Sequence, residues 1–137
     1  MSDLSRKIVQ ELSAWRAEVL RDPGIDTVYL FGSLVYRGGA RFKAGASDVD
    51  LLVTLKNDGS APERVETQTA VGARVKQLEA ALQGIVPGEN CPVSVSLLTP
   101  FELARNIHKD DKPGFWIATK FLDLGVDGAA AVSLHRD

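Results

Sequence analysis

Residues 48–55, DVDLLVTL, place two acidic residues at the start of a run of apolar residues, and this segment constrains the fold most. Short runs rich in β-branched and aliphatic residues predict a strand. Because side chains alternate along a strand, Asp48 and Asp50 should project from the same face, roughly 6.5–7 Å apart along the backbone. The valines and leucines that follow would bury the strand. The segment therefore predicts a carboxylate pair at the mouth of a hydrophobic element.

A second predicted strand, residues 25–31 (IDTVYLF), ends at Gly32-Ser33. Glycine permits a close backbone approach, and a serine hydroxyl with exposed backbone N–H groups can hold phosphate oxygens. Magnesium is commonly held by one or two carboxylates together with substrate phosphates. The glycine-rich segment 34–47 between the strands is long for a compact domain, which favours a functional loop. Together these features predict a phosphate-binding turn that faces a metal site.

Hydrophobic periodicity and turn residues predict the remaining elements. They are an amphipathic helix at 3–21 capped by Ser2 or Asp3, a helix at 62–83, a strand at 92–98, a helix that begins at Thr99-Pro100, a last helix or long turn at 115–124, and a tail at 129–137 that is a short strand or a frayed end. The apolar face of the second helix comprises Val65, Gly72, Val75, Leu78 and Leu82. This order predicts one α+β domain over residues 1–137, with a short sheet backed by helices.

Composition excludes several classes of protein. The 137 residues are 45% hydrophobic and carry a net charge of −2, which excludes a strongly basic protein held to nucleic acid by bulk electrostatics. The single cysteine, Cys91, cannot form an internal disulfide and is expected to be a buried thiol. The N-terminus lacks the apolar core of a signal peptide, and no stretch approaches the ~20 apolar residues needed to span a bilayer. We therefore expect a cytoplasmic protein with no membrane partner.

Two other types of Asp-x-Asp site fit the sequence poorly. In phosphatases of the haloacid dehalogenase type, the acids follow a hydrophobic strand, whereas here the hydrophobic run follows Asp50. A calcium-binding loop would need further oxygen ligands and a closing glutamate after Asp50, and Leu51-Leu52-Val53 exclude that arrangement.

The phrase VYLFGS…SDVDLLV resembles the nucleotidyltransferase superfamily, which has the fold of DNA polymerase beta and its small prokaryotic relatives. The signature of that family is a hydrophobic strand, Gly-Ser or Gly-Gly, a connecting stretch, and two acids separated by one hydrophobic residue. Arg37-Gly38, Ser47-Asp48 and the later segment PVSVSLLTPFELAR are also similar, so the resemblance extends over residues 25–107. It implies a nucleotidyltransferase fold with a short mixed β-sheet backed by helices.

The same resemblance implies an activity and its residues. Asp48 and Asp50 would hold Mg²⁺ or Mn²⁺ and serve as the catalytic acids. Gly32 and Ser33 would bind the phosphates of a nucleoside triphosphate such as ATP, with further contacts from the loop residues Arg37, Arg41 and Lys43. A nucleoside monophosphate would then pass to an unidentified hydroxyl acceptor on a protein, RNA, nucleotide or small molecule. A separate helical partner protein or a homodimer is also expected.

One position departs from the family pattern. Counted back from Leu98-Thr99-Pro100, the third carboxylate of the family corresponds to Ser94, which is a poor magnesium ligand and cannot act as a general base. Three hypotheses follow: an active nucleotidyltransferase, a catalytically degenerate module of the same fold that binds a nucleotide or a partner as an antitoxin-like or regulatory subunit, and a purely structural interaction domain. The Gly-Ser and Asp pair favours the first, and Ser94 favours the second.

Overall fold

The computed structural model describes residues 2–40, 42–86, 88, 90–105, 121–124 and 131–132. Their elements are α1 (Asp3–Val19), β1 (Ile25–Phe31), β2 (Val49–Leu55), α2 (Ala61–Ile85), β3 (Val93–Leu98), α3 (Pro100–Ala104), β4 (Phe121–Asp123) and β5 (Ala131–Val132), with two short 3₁₀ turns at Gly32–Leu34 and Tyr36–Gly39. In this part of the chain, no helix is both long and apolar enough to cross a membrane.

The strands form one mixed sheet in the order β3-β2-β1-β4-β5. β1 pairs antiparallel with β2 and with β4, β4 pairs antiparallel with β5, and β2 pairs parallel with β3. The long helix α2 makes the connection between the two parallel strands, as parallel pairing requires. The predicted α+β class is confirmed, and the predicted strands 25–31, 48–55 and 92–98 agree with β1, β2 and β3 to within one residue at each end.

The main hydrophobic core lies between one face of the sheet and the helices α1 and α2. Its fully buried members include Ile8 and Leu12 of α1, Leu51 of β2 and Leu82 of α2. Trp15 is buried in this core, and its indole N–H donates to the carbonyl oxygen of Arg74 at 2.9 Å. This hydrogen bond ties the two helices together. A smaller cluster on the other face contains Phe31, Leu52, Leu98 and Phe121.

A side chain caps the start of each described helix: Ser2 is one of the two caps expected for α1, whereas the cap of α2, Ser60, was not expected. Ser2 accepts a hydrogen bond from the backbone N–H of Ser5 at 3.1 Å. Ser60 and Glu63 form a reciprocal capping box at the start of α2, and Thr99 and Glu102 form another at α3, where Pro100 occupies the first turn. Such caps satisfy N–H groups that have no partner inside the helix. The hydrogen bonds from Ser60 also lower the pKa of Glu63.

Two expectations about individual elements were wrong. Val65 and Gly72, placed on the apolar face of the second helix, are both exposed, Val65 to 59%, because the buried residues of α2 are Val71, Leu78 and Leu82. Residues 121–123, expected within a helix or long turn, form β4. This strand pairs with β1, where Asp123 is the partner of Tyr29. Burial of Phe121 against the aromatic rings of Tyr29 and Phe31 accounts for the strand. The rest of 115–124, apart from Leu124, lies outside the described residues.

We predict that Phe121→Ala lowers the free energy of unfolding by about 3–5 kcal/mol, since it removes a fully buried ring from the smaller cluster. Phe101→Ala is the matched control, because Phe101 is 49% exposed and its ring lies against the guanidinium of Arg105. Its loss should cost less than about 1 kcal/mol. Urea denaturation of both variants measures the difference, and equal losses would contradict the position of β4.

Candidate active site

The end of β1 meets the start of β2 at Gly32 and Asp50. Phe31 pairs with Asp50 in the antiparallel register, and Gly32 follows directly with φ of 81°. A Cβ atom on Gly32 would lie 2.2 Å from Oδ2 of Asp50, closer than a real Cβ can approach. Glycine also adopts this positive φ without the steric cost that other residues incur. The positive φ and the short distance to Asp50 both require glycine at this position. Because Gly32 has no side chain, the Asp50 carboxylate lies against the backbone of the turn.

Ser33 lies in the 3₁₀ turn Gly32–Leu34 that begins where β1 ends. The backbone N–H of Val35 donates to the carbonyl oxygen of Gly32 at 3.0 Å and closes this turn. The Leu34 side chain is buried in the main core and anchors the turn from below, while Ser33 is half-buried. The two residues predicted to bind phosphate therefore share one ordered turn beside Asp50.

Asp48 precedes β2 and is exposed, whereas Asp50 is half-buried. The backbone N–H of Val49 donates to the carbonyl oxygen of Pro92 at 2.9 Å, so the chain has already joined the sheet at this point. Alternation along the extended backbone puts the side chains of residues 48 and 50 on the same side. The carboxylates thus differ in environment: one is held against the turn and the other faces solvent.

Ser94 of β3 is the direct partner of Asp50 in the parallel register. Paired residues on neighbouring strands project from the same face of a sheet, so the Ser94 side chain lies on the Asp50 side. Val93 and Val95 pack against the main core on the opposite face. The structure therefore places a half-buried hydroxyl beside Asp50, where the resemblance implies a third carboxylate.

The basic residues Arg37 and Lys43 lie in the connection between the two strands, and both are exposed. Arg37 has a positive φ of 53°, which is uncommon for a residue other than glycine. The backbone N–H of Lys43 donates to Oγ of Ser47 at 2.9 Å, and the Ser47 N–H donates back to the Lys43 carbonyl at 2.8 Å. Much of the predicted loop is thus built from short hydrogen-bonded turns. Arg41 lies outside the described residues.

The charge of Asp48 acts on Cys91, two residues before the start of β3. Cys91 is buried as expected, and its burial, followed by the nearby charges of Glu79 and Asp48, raises the pKa of the thiol. Glu79 also accepts a hydrogen bond from the backbone N–H of Val93 at 3.0 Å. Glu79 was not predicted from the sequence. The one indication there was its position directly after Leu78, which is a buried residue of α2.

The carboxylates of Asp48 and Asp50 suit a cation that also binds the phosphates of a substrate. The described residues contain no group of three or more His, Cys, Asp or Glu side chains able to hold a metal ion. A pair such as Asp48 and Asp50 matches the usual binding of magnesium, in which one or two carboxylates combine with substrate phosphates and water. The residues present therefore fit a divalent cation that arrives with a nucleoside triphosphate.

A family model matches most of the chain. The model described as "Pol beta superfamily nucleotidyltransferase in conflict systems" matches residues 11–136. The match includes the turn at Gly32, both aspartates and β3. No curated protein and no solved structure matches the chain.

We predict that Gly32→Ala weakens the binding of Mn²⁺ with a non-hydrolysable nucleoside triphosphate about tenfold or more, because the new Cβ displaces the Asp50 carboxylate. Gly88→Ala is the matched control: Gly88 has φ of 80°, and a Cβ there meets nothing within 4 Å. Both variants should lose about 1–3 kcal/mol of stability from backbone strain. Titration calorimetry should show weaker binding for the Gly32 variant alone, and equal weakening would contradict the role of the contact.

Proposed function

The chain belongs to the Pol beta superfamily nucleotidyltransferases in conflict systems, and on that premise we propose that it transfers a nucleoside monophosphate from ATP or another nucleoside triphosphate to a hydroxyl acceptor. The observation that carries the proposal is the contact between Gly32 and the Asp50 carboxylate. Asp48 lies two residues earlier, and strand alternation would place it on the same side. This arrangement joins a phosphate-binding turn to a pair of cation ligands. The acceptor is a protein, RNA, nucleotide or small molecule that presents the hydroxyl.

Different residues of the candidate site would bind the cation and the phosphates. Asp48 and Asp50 would hold Mg²⁺ or Mn²⁺, which when bound neutralises phosphate charge and helps the pyrophosphate to leave. Ser33 and the backbone of its turn would orient the phosphates, and Arg37 and Lys43 would add positive charge from the connection. The hydroxyl oxygen of the acceptor forms a bond to the α-phosphorus. The bond between the α-phosphorus and the oxygen that bridges to the β-phosphorus breaks, and pyrophosphate leaves. The hydroxyl proton passes to water. Positioning and electrostatics supply most of the catalysis in such reactions.

Ser94 favours a second candidate function. A serine hydroxyl beside Asp50 cannot accept the proton of the attacking hydroxyl at neutral pH, and loss of a general base typically costs about 10²–10⁴ in rate. The alternative is a catalytically degenerate module of the same fold. It would bind a nucleotide or a partner protein as an antitoxin-like or regulatory subunit. We favour the enzyme because both aspartates and the glycine turn are retained.

The test is transfer of label from α-labelled nucleoside triphosphates to the protein itself and to candidate acceptors. We predict that Asp50→Asn lowers the rate at least about 100-fold, because a lost cation ligand costs at least as much as a lost supporting residue. Ser94→Asp should raise it by about 10²–10⁴, since it restores a carboxylate that can accept the proton. Asp26→Asn is the matched control, because Asp26 is exposed near the far end of β1 and its loss should leave the rate unchanged.

Three results separate the hypotheses. Activity in the native chain that Asp50→Asn removes supports the enzyme. Activity only after Ser94→Asp supports the degenerate binding module. No activity and no nucleotide binding in either form would contradict both and leave a structural interaction domain.

A further inference from the structure

The outer edge of β3 carries backbone groups that no described strand pairs. Among the described strands, β3 is the last in the sheet, with β2 as its neighbour on one side. Because the carbonyl of Pro92 accepts from Val49 of β2, the next residue, Val93, turns its N–H and C=O away from β2. The same alternation turns the backbone groups of Val95 and Leu97 outward. Such an edge is a template for pairing with another strand.

Side chains of α2 hold the two ends of this edge. Glu79 accepts a hydrogen bond from the N–H of Val93 at 3.0 Å, and Arg64 donates to the carbonyl of Leu97 at 3.2 Å. Arg64 also forms an ion pair with Glu102. An acceptor therefore sits at the start of the strand and a donor sits at its end.

Between these two side chains, the edge borders a cavity of about 570 Å³. Its wall on α2 includes Val71, Gly72 and Val75, and β3 contributes Val95 at the middle of the edge. A Cβ on Gly72 would meet nothing within 4 Å, so the wall has open space above it. The groove thus combines outward backbone groups, an apolar wall, the Glu79 carboxylate at the Val93 end and the Arg64–Glu102 ion pair at the Leu97 end.

We propose that this groove is an interface between two copies of the chain, in which the β3 strands pair antiparallel about a twofold axis through Val95. In that register Val95 pairs with its own copy, and Val93 pairs with Leu97 of the second copy. The N–H held by Glu79 and the carbonyl held by Arg64 are the groups that become partners across the axis. The edge is therefore complementary to itself, as a twofold interface requires.

The charges at the ends of the groove favour a second copy over an unrelated chain. Glu79 lies at the level of Val93, and Arg64 lies at the level of Leu97. The twofold axis brings Arg64 of each copy to the level of Glu79 of the other copy. The interface therefore contains two equivalent pairs of these side chains, one at each end. Once the strands replace their backbone contacts, Glu79 of one copy is placed to pair with Arg64 of the other, which keeps Glu102 as its second partner. The valine-lined walls of the two α2 helices would then close the groove.

Sedimentation velocity of the full chain over a range of concentrations tests the interface. The native chain should show a reversible monomer–dimer equilibrium. Val95→Pro should be monomeric, because proline removes the outward N–H at the axis and is tolerated on an edge strand. Circular dichroism and a thermal melt check that this variant folds. A native chain that is monomeric at every concentration overturns the proposal.

A charge exchange tests the register and does not depend on the proline variant. Glu79→Arg and Arg64→Glu should each raise the dimer dissociation constant about tenfold or more, because each places like charges opposite one another. The double variant should return it to within about threefold of the native value, since the pair is restored with reversed sign.

The control for the charge exchange is Glu66→Arg. Glu66 is an exposed residue of α2 that does not line the groove, so the same change of charge there should leave the dimer dissociation constant unaltered. Equal effects of Glu79→Arg and Glu66→Arg, or no recovery in the double variant, overturn the register.

Discussion

The backbone of Gly32 lies against the carboxylate of Asp50, and the candidate site depends on this contact. It joins the end of β1 to the start of β2, which are paired at Phe31 and Asp50. The buried Leu34 anchors the turn from below, and α1 and α2 cover the opposite face of the sheet. Because buried residues of β1 and β2 belong to the main core, the packing of the core holds the two strand ends that carry this contact.

The sequence predicted the parts of the fold in which local pattern and tertiary packing agree. Alternation and β-branched residues located β1, β2 and β3, and the caps Ser2 and Thr99 lie where the sequence predicted the helix starts. β4 could not be predicted, because Phe121 is held in a strand by aromatic rings on β1 that are distant along the chain. A local apolar pattern does not distinguish a short buried strand from a helix.

The site was predictable to a similar degree. The spacing of Asp48 and Asp50 and the Gly-Ser turn were visible in the sequence, as was the position of Ser94. The direct contact of Gly32 with Asp50 and the hydrogen bond from Val93 to Glu79 were not, because each depends on how separate elements pack. Under the proposed function, Ser94 bears on the activity and not on the fold. A serine in register with Asp50 leaves the sheet intact and supplies no carboxylate beside Asp50.

The central claim is that a divalent cation and a nucleotide bind together at Asp48 and Asp50, beside the turn at Gly32. The most direct measurement is paramagnetic broadening of amide NMR signals by substoichiometric Mn²⁺ in the presence of a non-hydrolysable nucleoside triphosphate. The account predicts that broadening concentrates at Gly32, Ser33, Asp50 and Ser94, spares Val71 and Leu78 on α2, and disappears when both aspartates are replaced by asparagine. Broadening centred on another part of the chain, or broadening that survives the double replacement, would contradict it.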